Sequence, residues 1–286
     1  MGARVSVITT VRDGEHALPA LFDALDAQTL GRDTFEVVVI DNASRDGTAR
    51  VARERGAVVV AEPVPGRARA RNRGVAAASA PLLAFTDADC IPRPDWLEHL
   101  LEPLASQPLV AGRVVLTTSE RPNRVERLDS LWRFRREWGE WAPTANLGMQ
   151  RSAFDAIGGF DASFRHIGED VDLCLRAHAA GFPLVWCTDA VVEHPAETEL
   201  RPVLRRSFEQ AYSLEDLRRR HDFNSGEEWR HPMPLVRGSY AVDRFGAGAA
   251  DARTDRGLLM LARLEYAGRM AGSAWALVRP RLARSD

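Results

Sequence analysis

Apolar residues in this chain come in two rhythms, and the two alternate. Residues 5–10 form a β-branched run, after which Leu18, Leu21, Phe22 and Leu25 recur at helical spacing over residues 18–28. The same alternation continues. Residues 35–40 read as a second strand, and Asp41-Asn42-Ala43-Ser44-Arg45-Asp46-Gly47-Thr48 is a turn that opens a helix through Val51 and Ala52. Residues 58–61 make a short third strand, 68–78 a helix and 81–85 an apolar strand. A helix then spans 92–101, starting near Pro94-Asp95, and a strand spans 109–116. Residues 146–150 are short and polar. A helix begins at Gly168 and runs to about Ala180, and 184–187 and 190–193 are strand-like. Continuous apolar strands alternating with helices predict an α/β fold with a mostly parallel sheet, whose right-handed crossovers bring the strand C-termini to one rim.

Beyond residue 200 the rhythm is helical only, over 203–221 and 257–279. In the second helix Leu261, Leu264, Ala271, Trp275 and Val278 form a stripe, with Glu265 and Arg269 spaced as a supporting pair. Packing on the main domain is the expected use of that stripe, and burial in a membrane surface is the alternative.

Charge sharpens the division. The net charge of −2 argues against nucleic acid as a partner, but residues 201–286 carry 16 Arg against 11 acidic residues. That basic surface suits an anionic acceptor, peripheral contact with a membrane, or a homodimer. All 38 basic residues are Arg, which excludes lysine Schiff-base chemistry and a P-loop. Cys90, Cys174 and Cys187 match neither a disulfide framework nor a zinc pattern, so a reducing, cytoplasmic setting is expected. No apolar signal region precedes Val5, and Arg263, Glu265 and Arg269 make residues 257–278 a poor membrane span.

The candidate chemistry lies at the strand ends. Thr86-Asp87-Ala88-Asp89 follows an apolar strand and sets two carboxylates at its C-terminal mouth, where open α/β sheets bind ligands. Such a pair suits a hard divalent cation that grips a diphosphate. Asp41 falls on the same rim. Gly168-Glu169-Asp170-Val171-Asp172-Leu173 places three carboxylates in a first helical turn, either as partners of the helix dipole or as reactive groups. His194, before Pro195, is either a packing residue or a metal ligand.

Taken in order, these segments resemble an inverting glycosyltransferase of family 2 with the Rossmann-like GT-A fold. The resemblance runs from Val5 to Pro195 and also includes Ala70-Arg71-Asn72-Arg73-Gly74 and Gly158-Gly159-Phe160-Asp161. It implies that residues 1–115 bind a nucleotide sugar, 116–200 bind the acceptor, and 201–286 are a helical C-terminal extension. Thr10 and Asp41 would contact the nucleotide base, and Arg67 or Arg71 would close over it. Asp87 would meet the ribose or a metal-bound water, Asp89 and His194 would bind Mn or Mg, and Asp170 would be the catalytic base. The donor would be a nucleoside-diphosphate sugar, UDP-linked in preference to GDP-linked. The acceptor would be a small molecule, a glycan or a lipid-linked glycan.

The chain departs from the family in two places. Thr10-Val11-Arg12-Asp13 stands where Pro-Thr-Tyr-Asn is usual, and no Gln-x-x-Arg-Trp is present. Non-processive transfer of one sugar is therefore expected. Trp132, Trp138 and Trp141 offer either a stacking platform or core, and Asn146 and Met149 fall where relatives line the acceptor cleft. A retaining transferase of the same fold, or a degenerate binding module, are the alternatives; loss of Asp89 or Asp170 would mark the latter, and both are present.

Overall fold

The computed structural model describes residues 3–132, 140–164, 167–221 and 255–278. Eight strands, β1 (Val5–Val11), β2 (Phe35–Asp41), β3 (Val58–Ala61), β4 (Leu82–Thr86), β5 (Ile91–Pro92), β6 (Leu109–Thr117), β7 (Asn146–Gln150) and β8 (Leu184–Pro195), form one sheet. Their order is β3-β2-β1-β4-β7-β6-β8-β5. The first four strands in that order pair in parallel, while β7 runs antiparallel between β4 and β6, and β5 runs antiparallel to β8. Since β6 and β8 are parallel to each other, every strand except β5 and β7 points the same way. The mixed sheet is thus mostly parallel, and the C-terminal ends of β1, β2, β4, β6 and β8 share one rim.

Alternation along the strands builds a core on both faces. Val5, Val7, Val37 and Val39 pack with helices α1 (Leu18–Asp26) and α4 (Trp96–Leu104). Ile8, Val38, Ile40, Leu83 and Phe85 face the other way, onto α3 (Arg67–Ala77), α6 (Arg151–Ala156) and α7 (Glu169–Ala179). Side chains at successive strand positions point to opposite faces, so two apolar faces require an unbroken apolar run. Helix α2 (Thr48–Glu54) links β2 to β3.

Two segments differ from the sequence expectation. Residues 146–150, short and polar in sequence, form strand β7, whose residues Asn146 to Met149 are buried inside the sheet. Its polarity misleads because Asn146 is fully satisfied there: its Oδ1 accepts from Trp96 Nε1, and its Nδ2 donates to the carbonyls of Arg113 and Ala190. Residues 184–187 and 190–193 are one strand rather than two. A register shift opposite Gly112 and Arg113 bulges β8 between them and then restores pairing through His194.

The chain divides into two compact units, Met1–Thr117 with Phe134–Pro195, and Thr118–Arg133 with Ala196–Asp286. The second unit holds α5 (Arg124–Trp132), α8 (Leu200–His221) and α9 (Arg256–Val278). Leu128, Val203, Leu258 and Ala262 form its core, and the expected Glu265–Arg269 pair is present, with Glu265 also accepting from Ser207. Of the expected stripe, Leu261 packs against this core. Leu264, Ala271 and Trp275 are exposed, and the side chain of Val278 lies outside the described residues. Further along α9 the inward face is small: at Gly272 an added Cβ would lie 2.3 Å from the Phe208 carbonyl oxygen of α8. That close approach of backbones fixes the helix rotation and leaves Leu264 and Trp275 outward, while Leu258 and Leu261 face the core. Among the described residues no helix is long and apolar enough to cross a membrane.

Candidate active site

Parallel pairing delivers the site residues to the common rim. Thr10 and Asp41 lie at the ends of β1 and β2, where Thr10 pairs with Ile40 and Asp41 with Val11. Both are half-buried. Asp41 Oδ1 accepts the Ser44 N–H at 2.9 Å, which shapes the turn after β2. That turn is laced to the loop after β1: the Asp13 N–H donates to Ser44 Oγ, the Arg45 N–H to Asp13 Oδ1, and the Gly14 N–H to Thr48 Oγ1. Asp13, part of the departure from the family pattern, therefore fastens the two loops beneath the rim.

Asp87 and Asp89 follow β4 directly. The short strand β5 pairs Ile91 with Glu193, and this tie carries Asp89 and Cys90 to the end of β8. His194 is buried there with its Nε2 3.4 Å from Asp89 Oδ1. Its Nδ1 lies 2.8 Å from the Pro195 carbonyl oxygen, which can only accept, so Nδ1 carries a proton and Nε2 is the nitrogen turned to the carboxylates. One ligand atom each from Asp87, Asp89, Cys90 and His194 lies within 4.8 Å of all the others. Burial, reinforced by Asp87 and Asp89, pushes the Cys90 thiol well above its ordinary range, so sulfur stays protonated. The remaining oxygen and imidazole donors fit a hard divalent cation such as Mn or Mg.

Across the site, α7 starts at Gly168, whose φ of 108° is left-handed and suits glycine. Each of the three following carboxylates has its own task. Asp172 is buried and pairs with Arg176, which also donates to the Ile157 and Gly159 carbonyls, a structural role. Glu169 is buried and takes Arg71 Nη1 on its Oε1 at 2.5 Å. Asp170 is only half-buried and is pushed up to about 7, chiefly by desolvation and then by Glu169, against the lowering pull of Arg71 and Arg67.

Helix α3 connects the two sides. Arg71 is buried, and its Nη2 reaches Asp87 Oδ1 at 3.5 Å while Nη1 holds Glu169. Its guanidinium carbon also sits 5.7 Å from the centre of the Phe160 ring. Arg67, one turn earlier, is exposed. Gly74 lets α3 settle on the sheet, since a Cβ there would lie 2.4 Å from Ile40 Cδ1. Asn72 clamps the Gly-Gly-Phe turn by donating to the Phe160 carbonyl and accepting its N–H. Two motifs that are 88 residues apart are thereby a single packing unit.

The structure thus joins Asp87, Asp89 and His194 in one cluster and ties Asp87 to Asp170 through Arg71 and Glu169. The sequence assigned no separate role to Glu169, Asn72 or Cys90. Glu169 stood there as one of three carboxylates in a helix's first turn and as the neighbour of Asp170, Asn72 only within Ala70-Arg71-Asn72-Arg73-Gly74, and Cys90 only as one of three cysteines. Asn146 and Met149 do not line a cleft, since both are fully buried. Trp141 packs against the core, while Trp138 and the side chain of Trp132 lie outside the described residues.

Comparison with known proteins agrees with this geometry. Residues 6–170 match the family described as glycosyl transferase family 2. Glycosyltransferase AglE of Haloferax volcanii is 31% identical over 206 residues, 67% of this chain and 67% of that protein. Matches to other glycosyltransferases cover as little as 45% of their length. A mannosyltransferase from Pyrobaculum calidifontis, PcManGT, solved with GDP-Man and Mn2+, superposes with a TM-score of 0.65 at 21% identity over 96% of this chain and 87% of its own. S. aureus TarS 1-349 in complex with UDP gives 0.55 at 17% identity, over 96% and 90%. The fold is therefore GT-A, and the chain belongs to glycosyl transferase family 2 as a glycosyltransferase.

Proposed function

We propose that this protein transfers one sugar from a nucleoside-diphosphate sugar to an acceptor hydroxyl with inversion, in a reaction that depends on a divalent cation. The observation that carries this reading is a pair of carboxylate sets joined by one arginine. Asp87 and Asp89 meet His194, and Arg71 reaches from Asp87 to Glu169, the neighbour of Asp170. A cation held by Asp89 and His194 would neutralise charge growing on the departing diphosphate. Asp170 takes the acceptor proton as the hydroxyl enters opposite the leaving group, and a pKa of about 7 suits a base at neutral pH. Arg71 and Arg67 add positive charge beside the diphosphate. Thr10 and Asp41, at the neighbouring strand ends, receive the base and ribose. Residues 1–115 then form the donor half and 116–200 the acceptor half. Both GDP and UDP donors are supported by the neighbours solved with GDP-Man and UDP.

The test is a panel of UDP- and GDP-sugars, each with Mn, Mg or chelator, read by thermal stabilisation and by donor turnover, with the anomer of the product assigned by NMR. A cation-dependent shift with one nucleotide and an inverted product support the reading. Absence of any shift in folded protein, or a retained anomer, overturns it.

The second unit supplies a docking face for the same reaction. Met260, Leu264, Met270 and Trp275 are exposed on α9, Arg256 and Arg263 are exposed beside them, and the one acidic residue of the helix, Glu265, is buried. An apolar face that carries Arg256 and Arg263 is complementary to an anionic bilayer, here at the cytoplasmic membrane face, which would bring the site to a lipid-linked acceptor. Flotation of the protein with anionic but not neutral vesicles supports this. Binding to neither, with a dimer in solution, would assign the face to a second copy.

A further inference from the structure

Resting on that reading of Asp170 as the base, we infer that Glu169 is a positioning residue of the reaction: it anchors Arg71 so that one guanidinium holds the base side and the donor side of the site together. A buried guanidinium requires an anionic partner, and the tighter of the two contacts of Arg71 is to Glu169, 2.5 Å against 3.5 Å for Asp87. The grip is one-armed. Glu169 Oε2 is buried without a hydrogen-bond partner, although a guanidinium ordinarily engages both oxygens of a carboxylate. A pair built only for stability would close that second bond, since a buried acceptor left open costs free energy. Here Nη2 is directed to Asp87 instead, and the Phe160 ring beneath the guanidinium holds that orientation. The unmet bond on Glu169 is the consequence of aiming Arg71 at the donor side.

The charge of Glu169 also acts on its neighbour. Among the described residues, the groups facing Asp170 are Glu169 on its own helix, Arg71 and Arg67 from α3, and the Cys174 thiol one turn on. Glu169 raises the Asp170 carboxyl and the two arginines lower it, so changing either member of the Glu169–Arg71 pair must move the base in a known direction. A purely structural pair would also move this midpoint through its charge but would leave donor KM in place, whereas loss of an anchor that aims Arg71 at Asp87 raises it.

The experiment is carbon-13 carboxyl NMR titration of the full chain, with the Asp170 resonance assigned from Asp170→Asn. Glu169→Gln lowers its midpoint by at least about half a pH unit, and Arg71→Gln raises it, while Glu169→Asp, which keeps the charge, leaves it near the wild-type value. In parallel, the acidic limb of kcat moves to lower pH in Glu169→Gln, and donor KM rises in both Gln variants. An Asp170 midpoint that is the same in Glu169→Gln and wild type overturns the inference; should that variant not fold, an unmoved midpoint in Arg71→Gln does so. The titration needs no substrate. A moved midpoint in a protein that transfers no sugar therefore leaves the coupling of Glu169 and Arg71 to Asp170 standing and overturns the proposed function, whereas an unmoved midpoint in an active enzyme overturns this inference alone.

Discussion

The two carboxylate sets on the rim differ in almost every physical respect. Asp89 has a side chain 49% exposed, follows a strand and faces an imidazole, while Glu169 has a side chain 3% exposed, begins a helix and is clamped by an arginine. Asp87 lies between these extremes, with one oxygen near Arg71. The contrast fits the roles proposed for each set. Carboxylates that collect a cation from water must stay ionised and accessible, and exposure secures both. A carboxylate that accepts a proton at neutral pH must resist ionisation, and burial beside another acid achieves that for Asp170.

Breaking the base side should have the largest effect. Asp170→Asn is expected to lower kcat by about 10² to 10⁴-fold while nucleotide affinity stays within roughly twofold, as measured by steady-state kinetics and calorimetry. Equal kcat in the variant would remove Asp170 from the mechanism. On the cation side, Asp89→Ala is expected to lower kcat/KM by about 10² to 10³-fold and to abolish the Mn dependence of nucleotide binding. His194→Ala is expected to act in the same direction with a smaller loss, of about 10 to 100-fold.

Acidity separates the two sides again. Because the base must be ionised, kcat is expected to fall about tenfold per pH unit below 7, while cation-dependent nucleotide binding persists through the same range. The stability linkage has a definite sign. Folded Asp170 keeps its proton up to about 7, whereas the unfolded residue releases it near 3.8, so the folded state binds more protons between those values and ionisation opposes folding. Asp170→Asn should therefore raise Tm at pH 8 and leave it nearly unchanged below pH 4. The smallest effect is expected away from both sets. Asn72→Ala removes both clamps on Phe160 and is expected to cost about 1 to 3 kcal/mol in urea unfolding, with Arg71 less firmly seated.

Much of the site was legible because it is local. Asp41, Asp87 and Asp89 each follow an apolar run that reads as a buried strand, and alternation of strands with helices placed those ends on one rim. Asp170 stands at the start of a helix announced by Gly168. The less legible residues depend on pairing between distant segments. Asn146 is polar, and nothing nearby marks it for burial; the indole of Trp96, the Arg113 carbonyl of β6 and the Ala190 carbonyl in the bulge of β8 supply its three partners. Glu169 reads as a capping acid until Arg71, from 98 residues earlier, is seen against it. The stripe on α9 has the right period for packing, yet Leu261 meets the core while Leu264, Ala271 and Trp275 are exposed, because Gly272 and its approach to α8 decide the rotation.

The sequence by itself determined the order and kind of elements, the α/β class, the family, and the carboxylates that could do chemistry. All of these rest on periodicity, on turn residues and on motifs of a few neighbouring positions. The tertiary structure alone decided the antiparallel insertion of β7, the meeting of Asp89 with His194 through β5, the bridging of Asp87 to Glu169 by Arg71, and the outward face of α9. Each of these is a contact between residues far apart in the chain. Their energies come from burial and complementary partners, which no local pattern encodes, so they exist only once the sheet has brought the strand ends together.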